Sequence, residues 1–229
     1  MKREVIGYSS VRGALHEIGR LPNQDSYLVK QFKFGTLLVV SDGMGSHPHS
    51  DVGSHSVCLS VSRAIQLWHE YRCDDIRLLI PLLHSLWGMD VFPFPKNECG
   101  ATCLFAFLSD DNLLYLGQLG DGNIYYSVGD ELILLKTKED DFTNLTTGIN
   151  SIRSFEDWSL ATVCVGDKSV KVCLMTDGVA ETLVESRRNE FVKLLWKRLS
   201  EKNNICERNN MINPVNAGDD RTLVSYEKR

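Results

Sequence analysis

Five aspartates have the right setting for metal chemistry, because each lies where a hydrophobic segment meets a polar or glycine-rich bend. Asp42 ends "LLVVSD", Asp177 ends "VCLMTD", and Asp25 follows "LPNQ". Asp121 lies in "LGDGN", and Asp219 precedes "DRTLV". Turn or cap chemistry would account for any one of them, since aspartate accepts hydrogen bonds from nearby backbone amides. As a set, they predict a site where carboxylates are gathered.

Gathered carboxylates repel one another unless a cation neutralises them. Oxygen ligands from aspartate, backbone carbonyl and water suit Mg²⁺ or Mn²⁺ rather than zinc. In "SDGMG" and "TDGVAE" a glycine follows the aspartate and lets the backbone approach a ligand closely. Two such ions can activate a water and orient a phosphoryl group. The aspartates therefore favour metal-assisted phosphate chemistry.

Three histidines follow Asp42 in "SDGMGSHPHSDVGSHS" and make zinc a second interpretation. His47, His49 and His55 are spaced by two and six residues, and the sequence lacks the HExxH helical frame. We therefore expect His49 and His55 at the surface or at a helix cap. The seven cysteines also lack paired CxxC spacing, and we expect most to be buried thiols in a reducing cytosol.

The segments around these aspartates are predicted to be strands, with helices grouped in two places. "GTLLVVSD" (35–42) is a continuous apolar run, as expected of a strand covered on both faces. Apolar residues recur at helical spacing over about 51–71, 74–90 and 187–201. The short joints "SDD", "GDG" and "GD" predict turns between antiparallel neighbours. The other predicted strands cover 5–11, 25–32, 101–108, 112–119, 123–128, 131–135, 160–165, 170–177 and 221–226.

Meandering strands with two groups of helices favour an α+β sandwich over alternating βαβ winding. With 229 residues and no internal repeat or long linker, the chain is expected to form one domain over 1–229. A net charge of −5 and scattered basic residues argue against nucleic acid as a partner. No signal-peptide core or membrane-length apolar run is present, so we expect a cytoplasmic protein without membrane contact.

Six motifs resemble, in the same order, those of the metal-dependent protein phosphatases, the PPM or type 2C family, and most of all its compact bacterial members. The motifs are "RLPNQD", "SDGMGSH", "GATCLFAFL", "LGQLGDGNIYY", "LMTDGVAE" and "GDDRTLV". Each is weak alone, but six in order are a strong signal, and the resemblance covers the chain from about Val5 to Tyr226. The resemblance implies a four-layer αββα sandwich, in which two antiparallel sheets pack together and helix pairs flank them.

The resemblance also implies the main metal ligands. Asp42 matches the aspartate that bridges two Mn²⁺ or Mg²⁺ ions, and the Gly43 carbonyl matches a further ligand. Asp177 matches a ligand of the second ion, and Asp25 matches an acidic residue near the binuclear centre. The resemblance thus places three of the five strand-end aspartates at or beside the binuclear centre, and the other two also match metal-binding positions.

Three further positions extend or depart from this match. Asp219 matches the metal-binding aspartate of the family's Asp-Asn pair, whereas Asp220 replaces the asparagine and its role stays open. Asp121 matches the aspartate that holds a third, weaker metal in many bacterial members. The stretch 137–159 does not match the family's substrate-facing flap. Four of its acidic residues are either extra metal ligands or solvated loop charges: Asp140, Asp141, Glu156 and Asp157.

Two residues compete to bind the substrate phosphate, a role usually filled by an arginine that makes a two-pronged hydrogen bond. Arg20 has the spacing of the family's "RxxN(E/Q)D". His16 lies where some compact bacterial relatives carry histidine, and Arg20 is then only a loop residue. His47 matches the histidine of the bacterial "DGMGGH" motif and is a candidate proton donor at the pocket rim. Met44 replaces the histidine of animal members, which favours the bacterial branch.

The implied reaction is hydrolysis of phosphoserine or phosphothreonine esters. A hydroxide that bridges the two ions at Asp42 would attack phosphorus in line, and most of the catalysis would be positioning and charge neutralisation. The implied partners are phosphoproteins made by a serine/threonine kinase, and we expect a monomer. The alternative is a weak or inactive pseudophosphatase that binds phosphoproteins as a regulator.

Two other phosphate-related folds fit the sequence less well. An aspartyl-nucleophile hydrolase needs a second aspartate two residues after the first, and in "LMTDGV" that position is Val179. A dinucleotide-binding fold needs a different glycine spacing from that of "GQLGDG" and a helix directly after it. The metal-dependent phosphatase is therefore the preferred interpretation.

Overall fold

The structure, a computed structural model, describes residues 4–136, 147–151, 154–201 and 218–228. Within these ranges the strands are β1 (Glu4–Val11), β2 (Ser26–Phe32), β3 (Gly35–Ser41), β4 (Cys103–Ser109), β5 (Leu113–Leu119), β6 (Asn123–Val128), β7 (Glu131–Leu134), β8 (Ser159–Cys164), β9 (Val170–Met175) and β10 (Arg221–Lys228). The α-helices are α1 (Ala14–Gly19), α2 (Ser50–Glu70), α3 (Leu79–Asp90), α4 (Asp177–Ala180) and α5 (Arg188–Glu201). Short 3₁₀ helices cover Ile76–Leu78, Lys96–Glu98, Phe155–Asp157 and Glu185–Arg187.

The strands form two five-stranded antiparallel sheets, which confirms the predicted α+β sandwich. The first sheet has the order β1-β10-β9-β6-β7, and the second has the order β2-β3-β4-β5-β8. The "SDD" and "GD" joints connect paired neighbours, as predicted. The "GDG" joint does not, because the chain crosses there from the second sheet to the first. Gly120 makes this bend with φ of 97°, a conformation that favours glycine.

Strand β3 is covered on both faces, as its continuous apolar run predicts. All seven of its residues are buried. Leu38 and Val40 face the other sheet and pack in the core between the sheets. Leu37 and Val39 point the opposite way and pack against the helices. The alternation follows from the two-residue repeat of a strand, and it fixes the direction in which β3 ends.

Helices cover the outer face of each sheet. Helices α2 and α3 pack on the second sheet through a large cluster that includes Val61 and Leu83. Helix α5 and the single turn of α4 pack on the first sheet, where Leu195 and Leu199 are buried. Leu194, which the helical pattern places on the same side, is 45% exposed. The layers are thus helices, sheet, sheet and helices.

Two local features differ from the sequence analysis or refine it. Helix α1 was not predicted, because its six residues include no buried side chain and so leave no apolar stripe on a core-facing side. Pro81, inside the predicted helix 74–90, lies in the first turn of α3, where a missing N–H costs no helical hydrogen bond. Across the described ranges, no helix has the length and apolarity needed to cross a bilayer.

Candidate active site

Strand pairing in the second sheet brings two of the predicted aspartates together. Ser26, the first residue of β2, pairs with Ser41, the last residue of β3. The residues immediately outside this pair are Asp25 and Asp42. Both therefore lie at the same end of the second sheet.

The first sheet delivers three more carboxylates to that end of the sandwich. Strand β9 lies between β6 and β10, and Met175 at its end pairs with both neighbours. Asp177 follows β9, Asp121 precedes β6, and Asp219 precedes β10. These three aspartates and Asp42 line one cleft. The set that the sequence predicted is thus brought together.

Burial and mutual repulsion raise the pKa values of the innermost carboxyls. Burial raises the pKa of Asp25 to about 8, against hydrogen bonds from Thr222 and Thr176 that lower it. Burial also raises the pKa of Asp42 well above its usual range, and the neighbouring carboxylates add to the effect. The pKa of Asp177 rises for the same reasons, although its hydrogen bond with Asp42 opposes the rise. Without a counter-charge, this site therefore disfavours negative charge.

A divalent cation fits the chemistry of this donor set. The Oδ1 atom of Asp25 is buried without a hydrogen-bond partner, while Oδ2 accepts from the Thr176 hydroxyl at 3.0 Å. Among the described residues, no three His, Cys, Asp or Glu side chains are arranged to hold a metal as they stand. A Mg²⁺ ion usually keeps several waters and takes only one or two carboxylates. The oxygen donors at this end suit such an ion.

Two hydrogen bonds with Thr102 hold the backbone of Asp42. Its N–H donates to the Thr102 hydroxyl at 2.9 Å, and the Thr102 N–H donates to the Asp42 carbonyl at 2.8 Å. The next residue, Gly43, has no room for a side chain, since a Cβ there would lie 2.6 Å from the Ser50 carbonyl. The bend after β3 is therefore sterically closed, and it aims the Asp42 side chain into the cleft.

Asp177 is held by an equally tight bend. Its Oδ1 accepts a hydrogen bond from the N–H of Gly178 at 2.6 Å. A Cβ on Gly178 would collide with the carbonyl of Asp220. The glycine is needed because the chain after β9 passes directly against the chain before β10.

The Asp220 carboxylate is the hydrogen-bond centre of the segment that carries His16. Its Oδ1 accepts from the Gly13 N–H at 2.7 Å, and its Oδ2 accepts from the Gln24 N–H at 2.6 Å. The same Oδ2 lies 2.8 Å from Nδ1 of His16. The Asp220 side chain is only 2% exposed, whereas His16 lines the cleft. The role of Asp220, open from the sequence alone, is thus to accept these hydrogen bonds.

A sequence profile of the family described as protein phosphatase 2C matches residues 12–212. The chain belongs to this family. No curated protein sequence matches the chain.

This protein phosphatase 2C chain also matches solved structures over almost its whole length. The catalytic domain of the serine/threonine protein phosphatase PstP, in complex with two manganese ions, is 18% identical with a TM-score of 0.65, covering 99% of each chain. RsbX in complex with magnesium is 15% identical with a TM-score of 0.63, covering 100% of each. The photosystem II phosphatase PBCP is 13% identical with a TM-score of 0.69, covering 98% of each. At these identities the likeness supports the fold alone.

Three predicted residues of the protein phosphatase 2C chain do not line the cleft: Asp25, which is buried, Arg20 and His47. Arg20 is exposed and ends α1 in the left-handed region, with φ of 56°. Both ring nitrogens of His47 have side-chain partners: Nδ1 lies 3.1 Å from the Ser46 hydroxyl, and Nε2 lies 3.1 Å from Nδ2 of Asn150. Of the two phosphate-binding candidates, His16 is the one in the cleft.

The remaining candidates lie away from the cleft or outside the described ranges. His49 occupies the N-cap position of α2 and His55 is exposed, as expected of cap and surface histidines. Asp157 closes a capping box with Ser154 at the short helix that also contains Glu156. Asp140, Asp141 and Cys206 lie outside the described residues.

Two cleft residues of the protein phosphatase 2C chain were missed. Gln24 lies beside Asp25, and its carbonyl accepts hydrogen bonds from the Gly43 N–H at 3.1 Å and from the Ser54 hydroxyl. Thr102 lies in the "GATC" motif, to which no site residue was assigned from the sequence. Pairing β3 with β4 along the sequence would have placed Thr102 beside Asp42.

Proposed function

We propose that this protein phosphatase 2C chain is a protein serine/threonine phosphatase that depends on Mn²⁺ or Mg²⁺. The observation that carries the proposal is the set of carboxyls at one end of the sandwich, where burial raises the pKa values of Asp25, Asp42 and Asp177. Such a site needs positive charge, and the cleft beside it is open to a substrate. The substrates would be phosphoproteins in the cytoplasm, and the enzyme a single-domain monomer.

Asp42 and Asp177 would hold two ions, with Asp25, Asp219 and the Gly43 carbonyl as the other protein donors. Asp121, which is exposed at the cleft, would serve a third, weaker ion. When bound, the ions supply the charge and acidity that make water a nucleophile near neutral pH. Glu156 and Asp157 are not among the proposed ligands, because both lie in a short helix that Asp157 caps together with Ser154.

The chain's own contribution is positioning. The two hydrogen bonds with Thr102 and the sterically closed bend at Gly43 fix the direction of the Asp42 side chain. Asp177 is fixed by the bend at Gly178 on the other sheet. His16 faces the same cleft from α1 and would bind a phosphoryl oxygen of the substrate. Because phosphoryl transfer depends mainly on positioning and charge neutralisation, rigid carboxylates are the chief requirement.

The deciding experiment is hydrolysis of a phosphothreonine peptide with Mn²⁺. We expect Asp42→Ala and Asp177→Ala to lower kcat/KM about 100-fold or more. Each removes a carboxylate that would hold the ions that neutralise charge at the reacting phosphate. Asp130→Ala is the matched control, because Asp130 is exposed in the turn between β6 and β7, at the far end of the strand from the cleft. Equal activity in all four proteins would refute the assignment of the site.

A thermal-shift titration with Mn²⁺ separates the catalytic proposal from the non-catalytic alternative. Ligand that binds only the folded chain stabilises it by mass action, so the wild type should gain stability and both cleft variants should gain less. A pseudophosphatase would show the same gain but no hydrolysis of p-nitrophenyl phosphate at any Mn²⁺ concentration.

A further inference from the structure

The buried carboxylate of Asp220 takes all of its described hydrogen bonds from one short stretch, residues 13–24. Two donors are the backbone N–H groups of Gly13 and Gln24, at 2.7 and 2.6 Å. The third partner is the ring of His16, with Nδ1 at 2.8 Å. This stretch contains α1, which lies at the cleft. One carboxylate therefore holds both the backbone on either side of α1 and the His16 ring.

A carboxylate suits this position because both of its oxygens only accept hydrogen bonds. An asparagine side chain could still accept from Gly13 through its carbonyl oxygen. Its amide nitrogen, however, would face the Gln24 N–H and would offer a hydrogen where His16 also offers one. An aspartate at position 220 therefore accepts the hydrogen that His16 offers, whereas an asparagine would place a second hydrogen there.

The hydrogen bond at Nδ1 determines what the rest of the ring can do. An acceptor-only partner keeps the hydrogen of the imidazole on Nδ1 and fixes the plane of the ring. The His16 side chain is 16% exposed and lines the cleft. Among the residues that the structure describes, none forms a hydrogen bond with Nε2 of His16. This nitrogen therefore remains available for a ligand.

We propose that Asp220 is a positioning residue that holds His16 so that its Nε2 binds a phosphoryl oxygen of the substrate, in the place of an arginine. The inference rests on the proposed function and names the phosphate-binding unit of the same cleft. With a carboxylate at Nδ1 and a phosphate at Nε2, both ring nitrogens donate hydrogens. The ring then carries a positive charge between two anions, which is a favourable charge-assisted arrangement.

A kinetic test uses the full chain with Mn²⁺ and a phosphothreonine peptide. We expect His16→Gln to lower kcat/KM about 10- to 100-fold, the size of a lost hydrogen bond to a charged group. Asp220→Asn should cause a similar loss, and the double variant should be no worse than His16→Gln. His55→Gln, in an exposed histidine of α2, is the matched control and should behave as wild type. Losses that multiply in the double variant would refute the pairing.

A spectroscopic test uses ¹⁵N-labelled histidine in the full chain with Mg²⁺ and inorganic phosphate as the probe. The wild-type His16 ring should carry its hydrogen on Nδ1, and phosphate should shift the Nε2 resonance. The shift should be lost in Asp220→Asn while the His55 signals stay unchanged. A ring with hydrogen only on Nε2, or a His16 signal insensitive to phosphate, would overturn the inference.

The two tests distinguish a failure of the proposed function from a failure of the Asp220–His16 pairing. If the wild type hydrolyses no phosphopeptide, the proposed function fails, and the NMR measurement still decides the pairing. If Asp220→Asn does not fold, the wild-type spectrum and the kinetics of His16→Gln still decide it. Normal kcat/KM in His16→Gln would refute the phosphate-binding role even in an active enzyme.

Discussion

The two walls of the cleft are held in place by different forces. On one wall, Asp42 and Asp177 extend from strands in the interior of the sandwich. On the other, His16 lies on α1, a helix of six residues with no buried side chain. Leu15 and Ile18 on the same helix are 67% and 80% exposed.

Packing fixes the carboxylate wall. Every residue of β3 is buried, and the bends at Gly43 and Gly178 leave no space for a Cβ atom. Close-packed surroundings of this kind do not adjust gradually to change. A group that must hold a cation in a defined geometry benefits from such support.

Hydrogen bonds fix the histidine wall. The Asp220 carboxylate receives two backbone N–H groups, and the Leu15 N–H donates to the Gly218 carbonyl at 3.0 Å. These contacts join segments about 200 residues apart in the sequence, such as Gly13 and Asp220. One cleft thus combines a wall made rigid by burial with a wall positioned by a few polar contacts.

Among changes at the cleft, the largest expected effect on stability comes from disrupting the packed bend at Gly178. Gly178→Ala places a Cβ against the Asp220 carbonyl, and the backbone shift should cost about 3 kcal/mol of unfolding free energy. Gly45→Ala is the matched control, because its Cβ would lie 3.6 Å from Oε1 of Gln24, an ordinary contact. Urea unfolding measures both. Equal midpoints for the two variants would show that the bend after β9 is not sterically closed.

A smaller effect is expected from Thr102→Val, which keeps the shape of the side chain and removes the hydroxyl. The Asp42 N–H then loses its acceptor in a buried setting, at a cost of about 1–3 kcal/mol. Since Asp42 moves with its backbone, kcat on a phosphothreonine peptide should also fall. Thr162→Val, on the exposed side of β8, is the control and should change neither quantity. Unchanged stability in Thr102→Val would show that the Thr102 hydroxyl does not hold the Asp42 backbone.

Burial also determines which parts of the fold the sequence could predict. The run 35–42 was recognised as a strand covered on both faces because a short, continuous apolar run is typical of such strands. Helix α1 has no buried side chain and therefore leaves no periodic signal. The "GDG" joint resembles a hairpin turn, and only the pairing of β6 with β9 shows that the chain changes sheets there.

The candidate site divides in the same way. The strand-end aspartates were predicted because their positions follow from strands that the hydrophobic pattern reveals. The role of Asp220 was not predicted, since it depends on Gly13, His16 and Gln24 from the far end of the chain. Long-range hydrogen bonds leave no local pattern. The choice between His16 and Arg20 therefore needed the structure.

The smallest effect is expected on α1, where the same substitution can be made in both environments. Ile18→Ala should change the free energy of unfolding by no more than about 0.5 kcal/mol, because the side chain is 80% exposed. Ile65→Ala is its matched partner in α2, where the side chain is 1% exposed and its loss should cost about 2–5 kcal/mol. Chemical denaturation of both variants gives the difference directly. If Ile18→Ala cost as much as Ile65→Ala, α1 would be held by burial, and the contrast between the two walls would be wrong. A neutral result would leave the Asp220 hydrogen bonds as the contacts that hold His16 at the cleft.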